Sequence, residues 1–171
     1  MPNQDYVLIM ARYNRWQNEN LLAATDGLSP DERRKDRGAF FGSIERTFSH
    51  ILWADMIWLH RFAGTSRPKG SHSESDALIG DWDEFRELRD RLDRQILQWA
   101  HDVSPDWFEG NLRWTSGMVH REFSMPRKIV IMHLFNHQTH HRGQIHAMLT
   151  LAGAQPGATD LLVMPEIYAS A

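Results

Sequence analysis

Two histidines one helical turn apart, His137 and His141, sit in the run His137-Gln-Thr-His-His141-Arg-Gly-Gln144 near the C-terminal end of the chain. Residues four apart on a helix have Cβ atoms roughly 5–6 Å apart, so both rings can reach one metal ion about 2.0–2.1 Å from each nitrogen. Stepping by three or four residues gives Val130, Leu134, His137, His141, Gln144, Met148 and Leu151, which puts the two imidazoles on an apolar stripe expected to face inward. Two buried rings repel one another if protonated, whereas a shared cation satisfies both and favours their neutral form. Either ring taken alone could instead be a hydrogen-bonded core histidine, and an H-x-x-x-H pair is half of a metal site. His133 and His140 compete for the same role. Each lies about one residue's rotation off the stripe, so geometry favours His137 with His141.

Composition narrows the setting. A chain of 171 residues is expected to form one domain, 1–171, long enough to bury a sizeable core. Its formal charge of −3 offers no broad attraction to nucleic acid or to an anionic membrane, and neither partner is expected. The chain has no cysteine, which removes disulfides, thiolate ligands and a cysteine nucleophile together. Met1-Pro-Asn-Gln-Asp5 lacks the basic flank and apolar run of a secretory signal, and no stretch approaches the roughly 20 apolar residues of a membrane span. A cytoplasmic location is the resulting expectation.

Four long helical patterns must position the histidines. The first covers about residues 4–25, with Tyr6, Ile9, Met10, Tyr13, Trp16, Leu21 and Ala24 near one face. Ser29-Pro30-Asp31-Glu32 then supplies an N-cap, a first-turn proline and a capping-box glutamate, predicting a short helix to Lys35 with a solvated charged face. The second long helix is predicted over about 41–63, where Phe41, Ile44, Phe48, Ile51, Trp58 and Phe62 keep a spacing of three or four and Asp55 shares the row. Residues 64–80 are polar and rich in turn formers, and read as an exposed connection. The third, about 81–101, is amphipathic with an outer face of ion pairs. Residues 107–123 suggest a short β-hairpin around Gly117, and Ser124-Met-Pro126 starts a fourth helix that Gly153 and Pro156 stop. The fold class is therefore all-α, a four-helix bundle with a short hairpin between the third and fourth long helices.

In such bundles metal sites form where side chains of facing helices converge, and His50, mid-way along the second pattern, is the natural third ligand. On spacing alone, a lone histidine in that place is more often a satisfied core or boundary residue. His60 and His101 fall near helix ends and His72 in the connection, and none is assigned a function.

Tyr13-Asn14-Arg15-Trp16, Ser43-Ile44, the block Phe48-Ser49-His50-Ile51-Leu52-Trp53-Ala54-Asp55 with Trp58-Leu59, and His133-Leu-Phe-Asn-His137 through His140-His141-Arg142-Gly143-Gln144 to Leu149 and Gly153 resemble the DinB/YfiT-like superfamily of four-helix-bundle metalloproteins. The resemblance covers nearly the whole chain. It implies a divalent metal, commonly zinc or nickel, on a histidine triad that falls here on His50, His137 and His141, and it implies homodimerisation in many members. It also implies chemistry on small molecules, chiefly S-transfer with a low-molecular-weight thiol such as bacillithiol, mycothiol or glutathione, with some isomerases and hydrolases. Three neutral imidazoles leave the ion its full charge and an open position, the arrangement of a catalytic zinc site. A non-catalytic metal-binding or stress-response interaction protein is the rival reading, and a bundle whose histidines are only structural is the third.

Supporting residues carry paired expectations. Asp55 either braces packing through Asn14 or Trp16 or orients a ligand histidine. Gly143 is expected to permit close helix contact, Gln144 to hydrogen-bond near the metal or meet a neighbouring helix, and Arg142 to form a surface ion pair. Trp53 and Trp114 are candidates for a pocket mouth.

Overall fold

The computed structural model describes residues 1–117, 119 and 121–169. Its elements, in order, are α1 (Gln4–Asp26), α2 (Pro30–Arg34), α3 (Ile44–Ala63), a 3-10 turn (His72–Ala77), α4 (Trp82–Asp102), a second 3-10 turn (Pro105–Phe108), β1 (Asn111–Thr115), β2 (Glu122–Pro126), α5 (Arg127–Leu151), a third 3-10 turn (Leu161–Val163) and α6 (Glu166–Ala169). The four long helices form a bundle in which α1 packs on α4 and α5, and α3 packs on the same two. Helices α1 and α3 are thus diagonal, as are α4 and α5. The segments that join each diagonal pair are the ones carrying α2 and the hairpin. In the hairpin β1 and β2 run antiparallel with Trp114 opposite Phe123, and both strands lean on α5. The expected hairpin is present, and Met118 and His120 lie outside the described residues. No helix is long and apolar enough to cross a membrane among the described residues.

Several helix starts differ from expectation for local reasons. Helix α3 begins at Ile44 rather than 41, because Gly42 takes a left-handed φ of 78° and the Ser43 side chain accepts the Arg46 N–H as N-cap. Ser124, Met125 and Pro126 belong to β2, so α5 begins at Arg127 with no side-chain cap. Ser29 caps α2 as expected, but the Glu32 carboxylate pairs with Arg37 at 2.5 Å instead of completing a capping box. The charged run beyond it is not wholly solvated either: Arg33 is buried, donates to the Leu28 carbonyl and lies 4.7 Å over the Trp82 ring.

The larger departure is a polar layer through the core. On α1 the buried row is Val7, Ala11, Asn14, Asn18, Leu21 and Thr25, while Ile9, expected inside, is exposed. On α4, Arg89 and Asp93 are buried rather than part of the outer ion-pair face that Arg91–Glu87 and Arg94–Asp90 do form. Arg89 donates to Asp55 Oδ2 and to Asp93 Oδ1, both at 2.7 Å. Asp93 also accepts from Asn14 (3.0 Å) and Asn18 (3.0 and 3.1 Å), Asp55 accepts from Gln138 (2.9 Å), and Arg142 donates to Asn14 Oδ1. Two guanidiniums and two carboxylates cancel in formal charge, and every long helix contributes. Burial alone would lower the Arg89 pKa, but the Asp93 and Asp55 carboxylates outweigh it and hold that pKa above the ordinary arginine value. Asp55 therefore braces helix packing, through Arg89 and Gln138 rather than through Asn14 or Trp16. Arg142 is buried in this layer instead of pairing on the surface.

Replacing Arg89 with Met strands both carboxylates in a site where they are at most 2% exposed. Breaking a buried pair in this way costs about 3–5 kcal/mol, so the urea midpoint of Arg89→Met should fall steeply, measured by circular dichroism. An exposed pair offers the control: Arg91→Met should leave the midpoint nearly unchanged.

Candidate functional site

Helix α5 carries two adjacent rows, one buried and one partly buried. Ile131, Phe135, Gln138, Arg142, Ile145 and Leu149 face the bundle centre, while His137, His141 and Gln144 flank them on the side turned toward α3. Leu151, expected on the histidine row, is 77% exposed, while the neighbouring Met148 and Leu149 are buried. The neighbours of the histidines, Gln138 and Arg142, are fastened into the polar layer and so fix the rotation of α5.

That rotation brings His50, His137 and His141 together. One ring nitrogen from each lies within 4.8 Å of the others. His50 Nε2 and His137 Nε2 are 3.1 Å apart, close to the spacing of about 3.3 Å between two nitrogens bound to one tetrahedral zinc. Of the two competitors, His133 is exposed with its ring 5.3 Å from Trp58, and His140 is exposed beside Gln144. Neither joins the cluster.

The tautomers follow from hydrogen bonding. Ser75 Oγ donates its proton to the His72 carbonyl at 2.7 Å, so it can only accept from His50, and the 2.8 Å contact puts the His50 proton on Nδ1. Gln144 Oε1 accepts from His141 Nδ1 at 2.8 Å, with the same result for that ring. Both Nε2 atoms are left as lone pairs turned toward the cluster. His137 Nδ1 is buried without a partner among the described residues, and its Nε2 meets His50 Nε2. Burial first, then repulsion from His141 and His72, lowers His50 to about 4; burial and the surrounding histidines lower His137 to about 3. Burial lowers His141 also, with Gln144 opposing. All three rings are neutral at pH 7, the state in which imidazole binds a cation, and the donor set therefore fits a divalent metal.

The Ser75 anchor comes from the segment expected to be an exposed connection. It is docked instead: Ser49 Oγ donates to the Ser75 carbonyl at 2.8 Å and accepts from Leu78 N at 2.7 Å, while Arg46 pairs with Asp76. Glu74 closes the turn by accepting from Ser71 N and Oγ. Ser71-His-Ser-Glu74 has the spacing of a capping box and was the available signal for this turn. His72, given no role by sequence position, comes to 5.8 Å from the His50 ring. Phe41, placed by the glycine turn ahead of α3, stacks on His50 with centroids 4.2 Å apart. Gly143 has open space where a Cβ would stand, so close helix contact is not its reason.

Beside the cluster lies a cavity of 410 Å³ reached by His50, His137 and His72. Trp53 and Trp58 from α3, with Trp114 and Phe123 from the hairpin, form its aromatic walls, consistent with the expected place of Trp53 and Trp114.

The depressed histidine pKa values set a pH dependence. An unfolded histidine titrates near 6.5, so below that pH the unfolded chain takes up protons that the folded cluster refuses. The folded state is thus at full relative stability above about pH 7 and loses it as pH falls from 6.5 toward 4. In chelator-treated protein the melting temperature should drop across that window, and His50→Gln with His137→Gln should flatten the slope. An unchanged slope in the double variant would assign the titration to other groups.

The sequence has parallels among known proteins. A family model described as the DinB family matches residues 1–168. "Protein DinB" of Bacillus subtilis (strain 168) is 24% identical over 164 residues, covering 91% of this chain and 91% of its own length. The matched span contains all four long helices, the docked 3-10 turn and the three clustered histidines, and the chain belongs to the DinB family.

Proposed function

We propose that this protein is a divalent-metal enzyme in which His50, His137 and His141 are the protein ligands, acting on a small molecule in the adjoining cavity with a thiol or water as nucleophile. The observation that carries the reading is the pair of Nδ1 anchors, Ser75 and Gln144, which turn the Nε2 lone pairs of His50 and His141 toward His137. Such second partners raise ligand basicity and hold ring orientation. A cation held by three neutral ligands supplies Lewis acidity, favouring the deprotonated form of a coordinating thiol or of water near neutral pH. Zinc or nickel suits an all-imidazole donor set. Phe41 shields one face of the cluster, and Trp53, Trp58 and Trp114 wall the cavity on the other side. The exposed imidazole of His72 can take the released proton to solvent. Because the chain lacks cysteine, a thiol nucleophile must arrive as co-substrate, as the resemblance to thiol-dependent S-transferases implies.

Elemental analysis after dialysis tests the ligands. Alanine at His50, His137 or His141 should remove most bound zinc or nickel, while His133→Ala and His140→Ala should retain it. Full occupancy in any of the first three excludes that residue. Ser75→Ala, which keeps all three ligands, should weaken affinity by about 10–100-fold. For catalysis, cobalt-substituted protein should develop a sulfur-to-metal charge-transfer band on addition of a thiol, absent in His137→Ala. With no spectral response to a thiol panel, and no turnover of electrophiles by thiol or water, the non-catalytic metal-binding reading takes over.

A further inference from the structure

Among the described residues, the cavity beside the histidines carries positive charge and no negative charge: Arg61 and Arg67 line it, and no aspartate or glutamate does. Neither arginine is ion-paired among the described residues, although most arginines on the bundle's other faces are. Arg61 is only partly accessible, and its guanidinium lies 4.4 Å over the Trp58 ring and 5.4 Å from the Trp114 ring. Stacking uses the face of the guanidinium and leaves its N–H edges directed outward in the plane. No protein acceptor meets those edges among the described residues. Burial, then Arg67, lowers the Arg61 pKa to about 10, so the charge persists at neutral pH.

Position on α3 sets the dimensions. His50, Trp53, Ile57 and Trp58, and Arg61 follow one stripe, and eleven residues at 1.5 Å each separate the end positions by about 16 Å. Arginine side chains on helices lean toward the N-terminus, and the stacking of Arg61 on Trp58, three residues back, shows that lean. An aromatic floor therefore runs between a cationic end and the histidine cluster.

We propose that the cavity binds an elongated small molecule bearing a carboxylate or phosphate at Arg61 and Arg67, an apolar or aromatic midsection against Trp53, Trp58 and Trp114, and its reacting end at the histidines. The last element rests on the proposed metal chemistry; the oxyanion site stands independently of it.

Calorimetric titration of the purified protein with 2-naphthoate, 2-naphthyl phosphate and the neutral 2-naphthamide tests the oxyanion site. At least one anion should bind about tenfold or more tightly than the amide, the worth of a charge-assisted hydrogen bond. Arg61→Gln should abolish that preference, and Arg67→Gln should reduce it. The tighter of the two anions identifies the headgroup class. Equal binding of anions and amide, no binding of either anion, or a preference that survives in both variants would overturn the proposal; the last result would mean that the anion sits at the histidines. An Arg61-dependent preference in protein that binds no metal would sink the metal reading and leave this one intact.

Discussion

A single guanidinium, that of Arg89, lies between two buried carboxylates at the centre of the bundle, and the aim of the functional side chains depends on how that charge is neutralised. Asp55 brings in α3, Asp93 and Arg89 itself belong to α4, Asn14 and Asn18 extend the network into α1, and Gln138 and Arg142 carry it to α5. A hydrophobic interface tolerates sliding and rotation at modest cost, whereas a hydrogen-bonded charge in low dielectric does not, because each displaced partner leaves a buried group unsatisfied. The layer thus acts as a register for the four helices.

The register matters most on α5, where network residues and cluster residues alternate. Gln138 follows His137 and Arg142 follows His141, so locking the first of each pair to its partners turns the second toward α3. On α3 the same relation holds at longer range, with Asp55 in the network and His50 five residues before it in the cluster. Stability and the histidine cluster are in this sense one arrangement of side chains. The charges that hold the helices in place are also what give three imidazoles a common focus.

Around that focus, the segments outside the long helices supply what the helices lack. The 3-10 turn of His72–Ala77 donates the Ser75 anchor, the glycine turn before α3 presents Phe41, and the hairpin closes the cavity with Trp114 and Phe123. Membership of the DinB family is carried by the whole matched span. The character of the cavity, aromatic walls with two arginines, comes from these connecting pieces as much as from the bundle.

Sequence alone determined the bundle, the hairpin and the histidines worth testing, because apolar spacing reports which residues face a core and the spacing of His137 and His141 reports a shared helix face. It misjudged α1 and α4 for one physical reason. Asn14, Asn18, Arg89 and Asp93 are polar, periodicity reads polar residues as outward, and only pairing partners on other helices make their burial tolerable. That His50 meets His137 and His141, that His133 and His140 stay outside the cluster, and where the protons sit on His50 and His141 were likewise decided in three dimensions. Each depends on a contact between residues far apart in the chain, such as His50 with Ser75 and with His137. Local pattern encodes which face a side chain occupies; which partner it meets there is set by the packing of one helix against another.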